Sequence, residues 1–139
     1  MRVTKVDFSP LIKITEQYKS DLHDVNASWQ RSKSRLAKEF RAKWFIHRAI
    51  VPVSVVSGIS SDEIFSDTRT RDTFNARALV MWIAYQSGSI GYASIGRVIA
   101  RDHSTVRHAI QVVDNNLTAR RGGVYEMLVD VCDLEDQWH

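Results

Sequence analysis

Cysteine and proline are scarce in this 139-residue chain, which holds one of the first and two of the second. The lone Cys132 has no partner for an internal disulfide, which excludes a stapled secreted scaffold and fits a reducing compartment. No run of about 18 apolar residues occurs, so no membrane-spanning helix is expected. The opening stretch MRVTKVDFSPLIKITEQ has no apolar core followed by a small-residue cleavage site, and a cytoplasmic protein without a membrane partner is expected. Strand-like alternation, internal repeats and low-complexity tracts are missing too. What remains is 44% apolar and 25% charged residues, the composition of a soluble globular domain long enough to bury a core of its own.

Helical spacing dominates the pattern. After Pro10 the chain runs to Arg48 without another proline or any glycine, with apolar residues at Leu11, Ile14, Tyr18, Leu22, Val25, Trp29, Leu36, Phe40 and Trp44. Steps of three and four predict one long amphipathic helix, or two in a hairpin broken near Asn26-Ala27-Ser28. An apolar segment follows from Ile50 to Val56 and ends at Gly58; Ser60 or Ser61 then caps a brief helix holding Ile64 and Phe65. SDTRTRDTF is polar and reads as a loop. Asp72 or Thr73 starts a helix to about Ser87, and Gly88 and Gly91 punctuate the loop behind it. Two short helices come next, Tyr92 to about Ala100 and His103 to about Leu117, the second capped by Asp102, whose carboxylate can accept from first-turn amides. RRGG at 120–123 precedes a last helix with Tyr125, Leu128, Val131, Cys132 and Leu134 on its apolar side and an acidic outer face. The fold class is all-α: a helical bundle containing a helix-turn-helix, with a long N-terminal helix or hairpin and a C-terminal helix. The division expected is a basic helical extension over 1–48, a helix-turn-helix domain over 49–117, and an acidic helix over 118–139 packed on it.

Charge is unevenly spread. Residues 1–48 carry 11 Lys or Arg against 5 Asp or Glu, residues 49–116 carry 6 against 6, and residues 117–139 carry 2 against 5. Arg31, Lys33, Arg35, Lys38, Arg41, Lys43 and Arg48 face only Glu39 as a counter-charge. Such a strip is either a solvated helix face or a surface laid against a polyanion. The three tryptophans at 29, 44 and 82 sit in apolar patterns and read as core rather than as platforms for bases.

The stretch IGRVIARDHSTVRHA, residues 95–109, sets a buried-looking frame of Ile95, Val98, Ile99, Val106 and Ala109 around the polar cluster Arg101-Asp102-His103-Ser104-Thr105. Asp102, His103 and Ser104 hold the side chains of a nucleophilic triad, but three adjacent residues at a helix start diverge and cannot relay a proton, so no enzyme is expected. His103 and His108 are five apart, a poor spacing for a metal, and neither a metal nor a cofactor is expected. Two short helices joined by a tight turn describe instead a helix-turn-helix, with short hydrogen-bonding side chains where the second helix meets a groove.

These residues resemble the signature of the C-terminal DNA-binding domain, domain IV, of the bacterial DnaA replication initiator family. The likeness extends upstream through VVSGISSDEIFSDTRTRDTFNARALVMWIA and covers roughly Ala49 to Leu117. It implies that Asp102, His103, Ser104 and Thr105 read bases in the major groove of double-stranded DNA. It further implies that Tyr92, Ala93 and His108 lie against phosphates, and that the loop with Arg69 and Arg71, together with Arg77, reaches the backbone or minor groove. Arg101 and Arg107 are expected as backbone contacts as well. Against the common family pattern the turn before Arg101 is one residue shorter, Ala100 replaces a glycine, and Asn75 stands where an arginine or aromatic is frequent, which moves minor-groove reading toward Arg71. No GxxxxGK[ST] occurs, so a complete ATP-driven initiator is not expected.

The function expected is sequence-specific binding of a DnaA-box-like site that regulates replication initiation or transcription, in a bacterium or a phage. A homodimer through the N-terminal helix and a replication protein as partner are expected possibilities. The alternative is a protein-interaction module that binds an initiator or another partner through its N- or C-terminal helices.

Overall fold

In a computed structural model, residues 35–88 and 90–138 are described, together with Glu16 and Ser20. Six helices make up the described chain: α1 (Arg35–Ser57), α2 (Ser61–Ile64), α3 (Arg71–Gly88), α4 (Tyr92–Ile99), α5 (His103–Ala119) and α6 (Gly123–Trp138). No strand occurs among the described residues, and the class is all-α. Apart from Glu16 and Ser20, the part of the expected N-terminal helix or hairpin before Arg35, with Trp29, Arg31 and Lys33 and any dimer contact made there, lies outside the described residues.

The middle of the bundle is α3. Its run Ala76, Ala78, Leu79, Val80, Met81, Trp82, Ile83 and Ala84 is buried on every side. A helix apolar all round has no solvent face and must be covered from all directions; α3 accordingly packs on each of the other five helices. Trp82 belongs to this core, and its indole Nε1 donates to Asp114 Oδ1 at 2.8 Å, so the one polar atom of a buried ring is satisfied. The division expected between residues 48 and 49 falls inside a continuous helix. One helix, α1, runs through that position to Ser57, and Phe45, Ile46, Ala49 and Val53 carry a continuous buried face across it. Pro52 sits inside α1, where it removes one backbone donor without ending the helix.

Burial divides the basic strip in the same way. Arg41 is 5% exposed while Lys43 and Arg48 are exposed, so the described part of the strip is not one solvated face. Burial lowers the pKa of Arg41. Arg48 lies over the ring of half-buried Trp44 at 5.8 Å. At the other end of the chain α6 presents Glu126, Asp130, Asp133 and Asp136 to solvent and buries Val124, Tyr125, Leu128, Val131 and Cys132, as its period predicts, although Glu135 is also buried.

The turn between α4 and α5 is built by two small residues. Arg101 N donates to the Gly96 carbonyl at 2.9 Å, which brings the backbone of the turn onto Gly96. A Cβ built at Gly96 would lie 2.5 Å from Arg101 O, so only glycine lets the two backbones approach this closely. To return that far in so few residues, Ala100 takes the left-handed conformation, φ 57° and ψ 47°. This explains physically why glycine is usual there: a Cβ in the left-handed region crowds the following carbonyl.

Two substitutions test this turn. Gly96→Ala forces backbone to move and is expected to lower stability by about 1–3 kcal/mol in thermal denaturation; an unchanged melting temperature would show that the turn opens freely. Ala100→Gly removes a left-handed penalty of about 1 kcal/mol, partly offset by greater unfolded-state freedom. It is expected to raise the melting temperature slightly, and a clear drop would contradict the strain.

Candidate nucleic-acid interface

Helix α5 buries Val106, Ala109, Ile110 and Val113 and, apart from half-buried Val112, exposes the rest of its first three turns. The inner stripe holds the helix on α3, α4 and α6, and the helical period then turns its N-terminal tip outward. Asp102, His103, Ser104 and Thr105 are all exposed there. They sit together on the N-terminal end of a helix, the end that favours negative charge.

Asp102 occupies the N-cap with extended backbone, φ −64° and ψ 145°. Its side chain differs from the expected amide cap: Oδ2 accepts from Ser104 Oγ at 2.9 Å, and Oδ1 lies 3.2 Å from His103 Nδ1. The Ser104 hydroxyl is the main cause holding this carboxyl below the ordinary carboxylate range; the Ser104 and His103 amides and the His103 ring also lower it, and desolvation opposes them. The three side chains at the tip are therefore coupled, so that a group reaching any one of them meets a pre-set arrangement of donors and acceptors. Thr105 stands beside this cluster with a hydroxyl and a methyl.

Flanking groups come from the body of α5 and from three other segments. The ring of His108 is 6.5 Å from Phe74 near the start of α3, and both His108 and Arg107 are exposed. Tyr92, first residue of α4, stacks on Tyr85 at 5.0 Å and 10°; its phenol is pushed up, first by the hydrogen bond with Tyr85 and then by burial, while nearby Arg107 opposes the rise. Ala93 beside it is exposed. The loop between α2 and α3 carries Arg69, and Arg71 opens α3; both are exposed. Turn 99–101 touches this loop directly through the Arg101 side chain.

Arg77 and Arg101 behave differently from the other cations. Arg77 Nε donates to Ile64 O at 2.7 Å, and Nη2 to Ser66 O at 2.7 Å and Thr68 O at 3.1 Å. Arg101 Nη2 donates to Ser66 O at 3.0 Å and Phe65 O at 3.3 Å, with Nη1 3.4 Å from Ile99 O and Ala100 O. Asp67 Oδ1 lies 4.0 Å from Arg101. Burial lowers the pKa of Arg77, and Arg101 adds to the drop while Asp67 opposes it.

One outward residue of α5 carries no mark in the sequence. Gln111 is exposed and lies three and seven positions beyond His108 and Ser104, on the same outward line of α5; extending the period one more turn would have found it. Asn75 is buried, and its Nδ2 would lie 2.5 Å from a Cβ on Gly123, so it packs against the start of α6 rather than facing outward. Among the described residues no group of three or more His, Cys, Asp or Glu could hold a metal ion, and no helix is long and apolar enough to cross a membrane.

Comparison with known proteins matches this region. The family model described as the bacterial DnaA protein helix-turn-helix matches residues 47–113. The chain is 27% identical over 74 residues to chromosomal replication initiator protein DnaA 1 of Chlamydia pneumoniae, covering 53% of this chain and 16% of that protein. It is 33% identical over 60 residues to the protein of that name from Chlamydia muridarum, covering 43% and 13%. With chromosomal replication initiator protein DnaA of Lachnoclostridium phytofermentans it shares 30% over 73 residues, 52% and 16%. The likeness thus spans a small fraction of these relatives. No solved structure matches the chain.

The coupled tip gives a pH prediction. Because the folded pKa of Asp102 is depressed, its contribution to stability is present above the unfolded pKa and lost as pH falls through the folded one. The melting-temperature gap between the protein and Asp102→Asn is expected to close as the solution is made more acid than about pH 5. A gap that widens on acidification below about pH 5 would refute the assignment.

Proposed function

We propose, from the premise that residues 47–113 of this chain belong to the bacterial DnaA helix-turn-helix family, that the protein binds double-stranded DNA by sequence and acts in the control of replication initiation. The observation that carries this reading is the exposed tip Asp102-His103-Ser104-Thr105 on a helix whose inner face is fully buried. A helix tip with an acid, an imidazole and two hydroxyls offers acceptors and donors to base edges in the major groove, and Thr105 adds a methyl for thymine. Arg69, Arg71, Arg107 and His108, with the α4 start at Tyr92 and Ala93, supply the surrounding contacts that set register on phosphates or in the minor groove. The site favoured is a DnaA-box-like sequence, and the setting a bacterial or phage cytoplasm. Nothing in this role calls for a catalytic residue or cofactor.

A second reading, an interaction module, draws on α1, where Leu36, Val51 and Val55 are 69%, 54% and 58% exposed. Such apolar residues suit a protein partner, including a second copy of the chain joined through the N-terminal segment.

Binding to a duplex with a DnaA box and to a scrambled duplex, followed by fluorescence anisotropy across a salt series, separates these readings. Specific binding survives salt that removes the sequence-independent component. His103→Ala and Thr105→Ala are expected to cost about 1–3 kcal/mol on the box and to relax choice, whereas Arg69→Ala weakens both duplexes alike. Equal losses on both duplexes from His103→Ala would remove the base-reading role. Light scattering that returns twice the 15.9 kDa of one chain would support pairing.

A further inference from the structure

Loop 65–70 is anchored at both ends by side chains that the DNA-binding role leaves unexplained. On one side Arg77 and Arg101 converge on a single carbonyl, Ser66 O, at 2.7 and 3.0 Å. Arg77 also holds Thr68 O, which belongs to the peptide bond leading into Arg69, so the plane just before Arg69 is set. Ser66 Oγ braces the same strand of loop: it donates to Glu63 O at 2.7 Å and accepts from Thr68 N at 3.2 Å. On the other side Thr70 Oγ1 accepts from Thr73 N at 3.3 Å and caps α3. Arg69 stands between these two fixed points with its own side chain exposed.

Bringing two guanidinium groups to one carbonyl is electrostatically unfavourable unless the carbonyl dipoles they collect outweigh their repulsion. Here six carbonyls, those of residues 64, 65, 66, 68, 99 and 100, serve Arg101 and Arg77 through charge-assisted bonds. Arg101 belongs to the turn that precedes the recognition helix, and Arg77 to the central helix α3. The pair therefore ties the loop to both elements at once, and a lysine could not replace a fork of this kind, since it brings one point charge rather than a planar set of donors.

We propose that Arg77 and Arg101 are positioning residues rather than DNA contacts: they form a clasp on the 64–68 carbonyls that holds Arg69 beside the tip of α5. The inference rests on the DNA-binding reading for its consequence, though the clasp itself is a property of the free protein. Loss of the clasp frees Arg69, so Arg101 acts on binding only through Arg69, while the base-reading tip keeps its own contribution.

The test is a cycle in the full chain of Arg69→Ala, Arg101→Ala and the double variant, with Arg101→Lys in place of Arg101→Ala should the alanine variant melt too low to assay. Anisotropy titrations on the DnaA-box duplex at several salt concentrations give affinity and salt slope. Arg69→Ala is expected to weaken binding roughly five- to tenfold and to reduce the salt slope by about one. Arg101→Ala and Arg101→Lys are each expected to weaken binding no more than Arg69→Ala does, and the double variant to fall within about twofold of Arg69→Ala with no further loss of slope. Losses that multiply, with a slope reduced by about two, would make Arg101 a phosphate contact and overturn the clasp. Full affinity in Arg101→Lys would overturn it too. Hydrogen exchange on the protein without DNA keeps the two questions apart: the amides of Thr68 and Arg69 are expected to exchange faster in Arg101→Lys. Unchanged exchange there defeats the clasp even if the protein prefers its box, and faster exchange in a protein that shows no preference between duplexes upholds the clasp while defeating the DNA reading.

Discussion

No side chain fits between Gly96 and the carbonyl of Arg101, and the arrangement of the surface depends on that contact. The close approach folds α4 back onto α5 and obliges Ala100 to adopt a conformation that L residues avoid. Two consequences follow from the position of the next two residues. Asp102 arrives at the head of α5 in extended backbone, where it organises His103 and Ser104. Arg101 emerges on the side of the α2–α3 loop and reaches its carbonyls. A turn one residue longer or more open would aim both side chains elsewhere.

Burial supplies the rigidity behind this turn. Since α3 is apolar around its whole circumference over residues 78–84, the other helices have to surround it, and α5 has its inner stripe fixed on that central helix. A surface helix held this way has little freedom to roll, so its outward residues are presented at defined angles. That is what recognition of base edges asks of a scaffold: side chains short enough to approach, on an element that does not yield. The polar tip contributes little to the core, and the core in turn leaves it accessible.

Arginine plays two physical roles within one small region. Arg69, Arg71 and Arg107 keep their heads in water, where their charge acts at long range and is screened by salt. Arg77 and Arg101 are drawn into backbone carbonyls, where their charge is partly neutralised and their geometry matters more than their sign. A census of basic residues treats them as equals, which is why net charge alone misjudges how many are available to a polyanion.

The sequence by itself determined the helical class, the position of the turn, and which face of α5 points outward, because each follows from short-range rules: period, capping and breakers. His103, Ser104 and Thr105 are exposed, as the stripe Val106, Ala109, Ile110 and Val113 dictates, and residues 47–113 carried enough family signal to match a DnaA helix-turn-helix. Direction beyond the first shell of neighbours came only with tertiary structure. Whether Arg41 is inside, whether Asn75 meets Gly123, and whether Arg77 and Arg101 face solvent or a loop backbone all depend on segments distant in sequence. The continuity of α1 through Arg48 and Pro52 has the same origin: its core face is defined by α3, some thirty residues away in the chain, and not by the local change in composition that marked a boundary there. Periodicity names a face; the fold chooses what that face meets.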